Sequence, residues 1–244
     1  MQATSLAASG NLAPSTSTAP STSFMRLGGI ATIGMALCYV SMFVIFFGLV
    51  SAPAGLDTLG RIEFLQQGRL LFAISYSLGY LLFGILLAIS LQALQQAIPN
   101  KQAALAGLAD RFGWIWVTLM MATGMTYLIG LDRLIQLANT DPIQAEALFH
   151  SFRLITSALG GGIELVGGLW VLLLSIAGLK QQWLPKALHL LGLLIGTMGI
   201  LTVLHTVPYL KDAFGLLQII WFSWLGIVLV CTTKVGVIRE SSSD

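Results

Sequence analysis

Charged side chains are scarce in this sequence of 244 residues, since Asp, Glu, Lys and Arg together make up only 9% of it. An ordinary soluble domain is about one quarter charged. The formal net charge is +2, and the lysines and arginines are scattered along the chain, so it lacks the clustered basic surface that a nucleic-acid partner requires. Hydrophobic residues make up 56% of the chain. This composition indicates a protein whose main partner is the lipid bilayer.

Residue patterns that carry chemistry are also missing. The only two cysteines, Cys38 and Cys231, lie in apolar runs, where cysteine behaves as a small hydrophobic residue. The sequence has no HExxH or CxxC spacing, no phosphate-binding glycine loop and no GxSxG elbow. His189 and His205 fall on roughly opposite faces of one predicted helix, which makes them poor ligands for a single haem or metal. We therefore predict no metal, no cofactor and no catalytic residues.

Six apolar runs are long enough to span a membrane as helices of about 20 residues each. They lie at residues 27–50, 70–93, 112–131, 154–179, 184–207 and 213–235. The predicted fold class is all-α, a polytopic transmembrane helical bundle with one membrane domain over residues 25–237. Residues 1–24, rich in Ser, Thr, Ala and Pro, are predicted to be a disordered tail, and residues 238–244 a short second tail. The first run exceeds the about 7–15 residues of a signal peptide, so we expect it to stay uncleaved.

Loop charges favour an orientation with both termini in the cytoplasm. Seven lysines and arginines lie in the segments that would then face inward, and five lie in those facing outward. Two of the connections that would face outward also contain signals for short helices at the outer face. Asp57 can cap the first, and Asp141-Pro142 starts the second with a carboxylate cap and a proline at the first helical position.

The two units that begin with these helices resemble each other at an offset of 84 residues. This offset places Tyr80 in register with Glu164 and predicts a parallel repeat of spans two–three and four–five. Apolar helices also align by chance, and that alternative stays open.

Glu164 is the only acidic residue that we place inside a predicted span. A carboxylate at such a position costs about 2.5–3.5 kcal/mol on insertion scales, so it indicates a functional site or a strong partner. One interpretation is a protonated carboxyl that is hydrogen-bonded at a helix contact. The other is a proton or cation site near the middle of the membrane. The residues at a similar predicted depth whose hydroxyl groups can hydrogen-bond a carboxyl are Tyr80, Tyr127, Thr197 and Ser223.

Small residues predict where the spans approach each other most closely. Membrane helices gain little from apolar burial against one another, so glycine faces that permit close backbone contact mark their interfaces. We expect spans four and five to form a tight hairpin. The glycines assigned to this packing are Gly160, Gly161, Gly168, Gly192, Gly196 and Gly199. Trp114, Trp116 and Trp183 lie near the predicted inner boundary and suit an aromatic belt.

Several apolar motifs occur in an order that resembles a known family. They are Phe112-Gly-Trp-Ile-Trp116, Thr123-Gly-Met125, Gly168-Leu-Trp-Val-Leu-Leu, Leu184-Pro185-Lys-Ala-Leu, Gly199-Ile-Leu-Thr202 and Phe214-Gly-Leu-Leu-Gln218-Ile-Ile-Trp221. Over about residues 25–235 the chain resembles the six-helix bacterial membrane proteins grouped as domain of unknown function 4386. The resemblance implies a six-span bundle in a bacterial inner membrane. It implies no activity and carries over no catalytic residue.

Three classes of function are compatible with these residues. The first is a non-catalytic accessory or sensor protein, in which Glu164 fixes helix packing and the partner is a second copy of the chain or another membrane protein. The alternative is a small-solute or proton-linked transporter with Glu164 at its site. The third is an intramembrane enzyme or cofactor binder, for which the sequence offers neither a nucleophile–base pair nor two axial ligands at one depth.

Overall fold

The computed structural model describes residues 22–51, 53–100, 103–204, 207 and 209–241. These residues form helices and short connections, and none of them lies in a β-strand. The predicted all-α fold class is therefore confirmed. Residues 1–21 and 242–244 of the two predicted tails lie outside the described residues. Helix begins at Thr22 and continues to Ser241, so it includes the last three residues of the first predicted tail and the first four of the second.

Nine α-helices make up most of the described chain. They are α1 (Thr22–Phe43), α2 (Thr58–Gln67), α3 (Arg69–Tyr76), α4 (Phe83–Ala97), α5 (Ala104–Thr140), α6 (Pro142–Gly160), α7 (Ile163–Gln181), α8 (Lys186–Leu201) and α9 (Leu210–Ser241). A π-helical segment, Val44–Leu49, extends α1, and a second, Ser77–Leu82, joins α3 to α4. A single 3₁₀ turn, Thr202–Leu204, follows α8.

Six helical stretches of the described chain are long and apolar enough to cross a membrane. They are Ser23–Leu49, Arg69–Ala97, Ala104–Thr140, Pro142–Gln181, Lys186–Leu204 and Leu210–Cys231. They agree with the six predicted spans in number and order, as a multi-pass membrane protein requires. The third and fourth are much longer than predicted. The 37 residues of α5 extend about 55 Å, well beyond the ~30 Å of a bilayer core, so one end of α5 projects past the other spans.

The bundle has two ends with different structures. At one end, which we call the turn end, short connections join α4 to α5 and α7 to α8. At the other end, α2 packs against both α5 and α6, and the apolar cluster around Ile62, Leu134 and Phe149 forms a second core. We call this second unit, made of α2, residues 127–140 and residues 142–157, the cap. Between the two ends, α1 packs against α4 and α9, while α7 packs against α5 and α8.

Both predicted outer-face helices are present, and each begins at the predicted aspartate. An oxygen of Asp57 accepts a hydrogen bond from the Gly60 amide at 2.8 Å, and an oxygen of Asp141 accepts one from the Gln144 amide at 3.1 Å. Pro142 occupies the first turn of α6. The second of these helices, α6, runs without interruption to Gly160.

The helix predicted to run unbroken over residues 154–179 is interrupted, although Pro142–Gln181 remains one apolar stretch long enough to cross a membrane. The first helix ends at Gly160, Gly161 and Gly162 leave the helical path, and α7 starts at Ile163. Glycine loses more conformational freedom in a helix than any other residue, so three in succession disfavour an unbroken helix. As a result, Glu164 lies in the first turn of α7 and not in the middle of a long helix.

The repeat at an offset of 84 residues stays a prediction, and two features of the structure agree with it. The starts of α2 and α6, Thr58 and Pro142, are separated by 142 − 58 = 84 residues. The π-helical segment that begins at Ser77 corresponds to Gly161 (77 + 84 = 161), where the other unit is also irregular.

Aromatic rings fill the centre of the membrane bundle. Trp116 packs against Trp170 with ring centroids 5.7 Å apart and against Phe83 at 5.4 Å. Trp170 and Trp221 contact each other at 5.6 Å, and Phe222 packs against both. Trp116 is only 1% exposed, so its predicted place in an aromatic belt is wrong. Trp114, two residues earlier, is exposed, because neighbours two positions apart point to different sides of a helix.

Candidate functional site

Glu164 forms an ion pair with a residue on the last helix. The Lys211 ammonium nitrogen lies 3.7 Å from Oε2 of Glu164, and the two side chains are 41% and 18% exposed respectively. Lys211 also donates a hydrogen bond to the carbonyl oxygen of Gly161. A single lysine thus contacts both the helix break and the carboxylate that follows it.

The local backbone favours a negative charge where Glu164 lies. The first turn of a helix presents unpaired amide groups and the positive end of the helix dipole, which stabilise a nearby carboxylate. Lys211 lies in the first turn of α9, where the helix dipole disfavours a cation. The carboxylate of Glu164 therefore also stabilises the ammonium group of Lys211 in this position. The ion pair therefore connects the start of α7, where a carboxylate is favoured, with the start of α9, where a cation requires a counter-charge.

A cavity of about 140 Å³ borders this ion pair. Its polar lining comes from Glu164, Lys211, Tyr39 and Tyr80, and its apolar lining comes mainly from Phe83, Met120 and Phe214. Gly79 and Gly160 also line it, and the lack of a side chain at each lets Met42 and Thr123 respectively approach the backbone closely. The space is large enough for several water molecules beside the charges.

Of the two tyrosines predicted beside Glu164, only Tyr80 lines its cavity. Tyr127 does not line this cavity, but it belongs to a stack of three tyrosine rings that includes Tyr80. Tyr76 lies between the other two, with its centroid 5.0 Å from Tyr80 and 3.2 Å from Tyr127, and its ring is within 8° of parallel to each of them. Tyr127 then contacts Phe152 of the cap at 5.2 Å. The stack connects the cavity of Glu164 to the cap.

Thr197 and Ser223 do not join the site, which corrects the prediction. Thr197 is exposed, and its hydroxyl donates a hydrogen bond to the Leu193 carbonyl at 2.8 Å. Threonine side chains in helices commonly form this hydrogen bond to the preceding turn. Ser223 lies twelve residues beyond Lys211 on α9, about 18 Å along the helix. Depth was counted along a continuous fourth span. The count took residue 154 as the end of that span, whereas the structure places Glu164 level with Lys211 at the start of α9 and with Gly199 near the end of α8.

The glycines assigned to packing lie at close helix contacts, apart from Gly161. A Cβ atom on Gly168 would lie 2.9 Å from the Gly196 oxygen and 2.9 Å from the Gly199 Cα, so backbone meets backbone between α7 and α8. Gly192 approaches the Ser175 side chain, and Gly160 approaches the side chains of Thr123 and Tyr80. Gly161 has only its own helix beside it and supplies the carbonyl that accepts from Lys211.

The site brings an ion pair, two phenol rings and a small cavity together. Such an arrangement can hold a charge in a fixed place, and it can also exchange a proton with water in the cavity. No family model, no curated protein sequence and no solved structure matches this chain. Among the residues that the structure describes, no three His, Cys, Asp or Glu side chains are grouped as a metal site would require.

Of the three histidines, the structure describes two. His189 is buried at the turn end, where its ring contacts the Trp183 carbonyl. His150 is exposed in the cap, and His205 lies outside the described residues. Neither His150 nor His189 lines the cavity of Glu164.

Sequence reasoning missed two residues of the site, Lys211 and Tyr39. Lys211 was counted as a loop charge because the last apolar run seemed to start at residue 213, whereas α9 starts at Leu210. A cation immediately before an apolar run is a signal that can identify such a partner. Tyr39 lies within the first apolar run and carries no comparable signal, because only the packing of α1 against α4 and α9 brings it to the cavity.

Proposed function

We propose that this chain is a non-catalytic accessory or sensor protein of the membrane. In this proposal the Glu164–Lys211 pair holds the break between α6 and α7 against the start of α9, and the cap presents a surface to a ligand or partner. The chain itself supplies a counter-charge for Glu164, and this is the observation that carries the proposal. A carboxylate with an internal partner is already compensated, which favours a structural role over an open transport site.

The pair lies where a conformational signal would have to pass. It ties α9 to the two-glycine break, and the tyrosine stack runs from the same cavity to the cap. A change in the cap that moved Tyr76 would therefore reach Tyr80 and the ion pair. Coupling of this kind needs packed elements with two arrangements, and a helix break held by one lysine is a suitable element.

A double-mutant cycle tests the structural role of the pair. The variants are Glu164→Gln, Lys211→Met and their combination, and the measurement is thermal unfolding of the protein in nanodiscs. We expect Lys211→Met to lower the free energy of unfolding by about 1–2 kcal/mol, because it leaves a largely buried carboxylate without its cation. The double variant should recover part of that loss.

The exposed pair Arg69–Asp132 provides a matched control. Its atoms are 2.8 Å apart, but the side chains are 59% and 52% exposed, so the cycle Arg69→Gln with Asp132→Asn should show a coupling of only about 0–0.5 kcal/mol. Equal and negligible coupling at both pairs would show that Glu164–Lys211 does not hold the fold, and the proposal would fail.

A second candidate is small-solute or proton-linked transport, and the cavity beside Glu164 is the observation that favours it. Infrared difference spectroscopy on wild type and Glu164→Gln separates the two candidates. A carboxyl band that titrates around neutral pH and disappears in the variant would indicate a site that exchanges protons, and it would favour transport. A carboxylate that stays unchanged across this range is expected for a structural pair.

The location is part of the same proposal. We place the protein in a bacterial inner membrane with both termini in the cytoplasm, on the loop charges and the resemblance to domain of unknown function 4386 described above. The cap would then face outward. Its partner would be another membrane protein or a second copy of this chain, and a small solute would be the partner only under the transport alternative.

A further inference from the structure

The cap contains a second cavity, which is larger than the one beside Glu164 and different in charge. Its volume is about 330 Å³, and it lies between α2, α3, α5 and α6. Arg61 comes to it from α2 and Arg153 from α6, and no aspartate or glutamate lines it. Two cations from separate helices therefore border one cavity.

Neither arginine is neutralised by an acidic partner within the described part of the chain, where the ion pairs are Arg69–Asp132 and Lys211–Glu164. Each guanidinium is nonetheless held in place. Nε of Arg61 donates to the Leu56 carbonyl at 3.1 Å, and the guanidinium carbon of Arg153 lies 5.8 Å from the centre of the Phe149 ring. Both side chains are exposed, so an anion can reach them from water.

Aromatic rings form much of the remaining wall of the same cavity. Tyr76 and Tyr127 line it as the stacked pair with centroids 3.2 Å apart, and Phe152 extends the wall 5.2 Å from Tyr127. Pockets for small ligands typically combine such an apolar wall with a few polar groups that fix orientation. A cavity with only the two arginines would suit any anion, whereas the rings add a preference for an apolar body.

We propose that this cavity binds an organic anion, with its carboxylate or phosphate group on Arg61 and Arg153 and its apolar body against the rings. The planar guanidinium matches both kinds of anionic group with paired hydrogen bonds, and aromatic rings contribute large contact areas. The inference deepens the proposed function, since it names the ligand class that a sensor of this structure would detect. Tyr76 lines this cavity and stacks on Tyr80, which lines the cavity of Glu164, so the two sites share one ring stack.

Direct binding of a simple probe tests the proposal without any assay of sensing. The probe is naphthoate, titrated against the full-length protein in phosphatidylcholine nanodiscs by equilibrium dialysis, and the neutral probe naphthamide has the same ring without the charge. We expect naphthoate to bind more tightly than naphthamide. Arg61→Gln and Arg153→Gln should each weaken naphthoate binding about tenfold, because each removes a charge-assisted hydrogen bond. Binding of naphthamide should change little.

Arg133→Gln is the matched control, since Arg133 is an exposed arginine of the cap that does not line this cavity. Thermal unfolding of each variant checks that the fold is retained. The proposal is overturned if naphthoate and naphthamide bind equally, if both cavity variants bind like wild type, or if Arg133→Gln weakens binding as much as they do. None of these outcomes depends on the Glu164–Lys211 cycle, so failure of this inference and failure of the proposed function can be distinguished.

A lipid headgroup and a dissolved anion share the proposed chemistry, and a second series identifies the source. Phosphatidylglycerol is added to the nanodiscs, and naphthoate binding is measured again in wild type and in the Arg61→Gln/Arg153→Gln double variant. Competition that occurs only in wild type supports the cavity as a site for an anionic lipid. Unchanged naphthoate affinity supports it as a site for a dissolved organic anion.

Discussion

The carboxylate of Glu164 is stabilised by two contributions that come from different parts of the chain. Its own helix contributes the positive end of a dipole, worth about 0.3–1 kcal/mol at a helix start. The last helix contributes Lys211, whose nitrogen lies 3.7 Å away. The first contribution follows from the local sequence once the glycine break is known. The second depends on a residue far along the chain; the position of Lys211 before an apolar run marks it as a candidate partner, but only the packing of α9 against the start of α7 pairs it with Glu164.

The contact between Gly168 and the α8 backbone gives a prediction at the scale of one atom. In Gly168→Ala the new methyl group would lie 2.9 Å from the Gly196 oxygen and the Gly199 Cα, and backbone atoms cannot rotate away as a side chain can. We expect the free energy of unfolding to fall by about 1–3 kcal/mol, as for other overpacked contacts. Thermal unfolding in detergent measures the change.

Gly107→Ala is the control for this experiment, because a Cβ atom there has no neighbour within 4 Å. Gly107 lies inside helix α5, so the change to alanine should stabilise the protein slightly, by about 0.5–1 kcal/mol. If both alanine variants unfold at the same temperature, the close approach of α7 and α8 is not as the structure has it.

Among the secondary-structure elements, the second and fourth spans are irregular in their interior, and both irregularities border the candidate site; the other departures from α-helix, after α1 and after α8, lie at the ends of spans. The π-helical segment Ser77–Leu82 carries Tyr80, and the break at Gly161 and Gly162 precedes Glu164. A π-helical turn or a helix break changes the direction in which the following side chains point. These two irregularities therefore help to direct Tyr80 and Glu164 into one cavity. Three successive glycines are a local signal for the break, but the sequence-based prediction was a continuous helix, with Gly160 and Gly161 assigned to helix packing. Nothing in the apolar run around Tyr80 indicated the π-helical turn.

The start of α6 allows a test of how the cap helices are fixed. Asp141→Ala removes the oxygen that accepts from the Gln144 amide, which should destabilise the start of the helix by about 1 kcal/mol. Hydrogen exchange measured by mass spectrometry should show faster exchange in peptides covering residues 142–149. Asp141→Asn keeps an oxygen at the same place and should exchange like wild type. Equally slow exchange in all three proteins would mean that this cap does not limit opening of the helix.

For the whole molecule, the order of the spans predicts which surfaces lie on opposite sides of the membrane. Ile143 follows the third span and is 83% exposed, and Lys186 follows the fourth. In a background with Cys38→Ala and Cys231→Ala, the variants Ile143→Cys and Lys186→Cys should react with a membrane-impermeant thiol reagent from opposite sides of sealed vesicles. Reaction of both from the same side would contradict the six-span arrangement.

The sequence by itself determined the number and order of the six apolar helices, the starts of α2 and α6 and the close contact of α7 with α8. Each of these follows from residues near one another in the chain: an apolar run, an aspartate before a helix, or glycines spaced on one helix face. The same kind of pattern identified Glu164, because a carboxylate in an apolar run stands out. The depth count that found Tyr80 also selected Thr197 and Ser223, which lie elsewhere.

Only the tertiary structure decided what surrounds these residues. It paired Glu164 with Lys211, brought Tyr39 to their cavity, buried Trp116 among other rings and left Thr197 and Ser223 elsewhere. The physical reason is that in an apolar helix every face is compatible with lipid, so hydrophobic periodicity does not indicate which face meets protein. Packing between helices far apart in the sequence makes that choice.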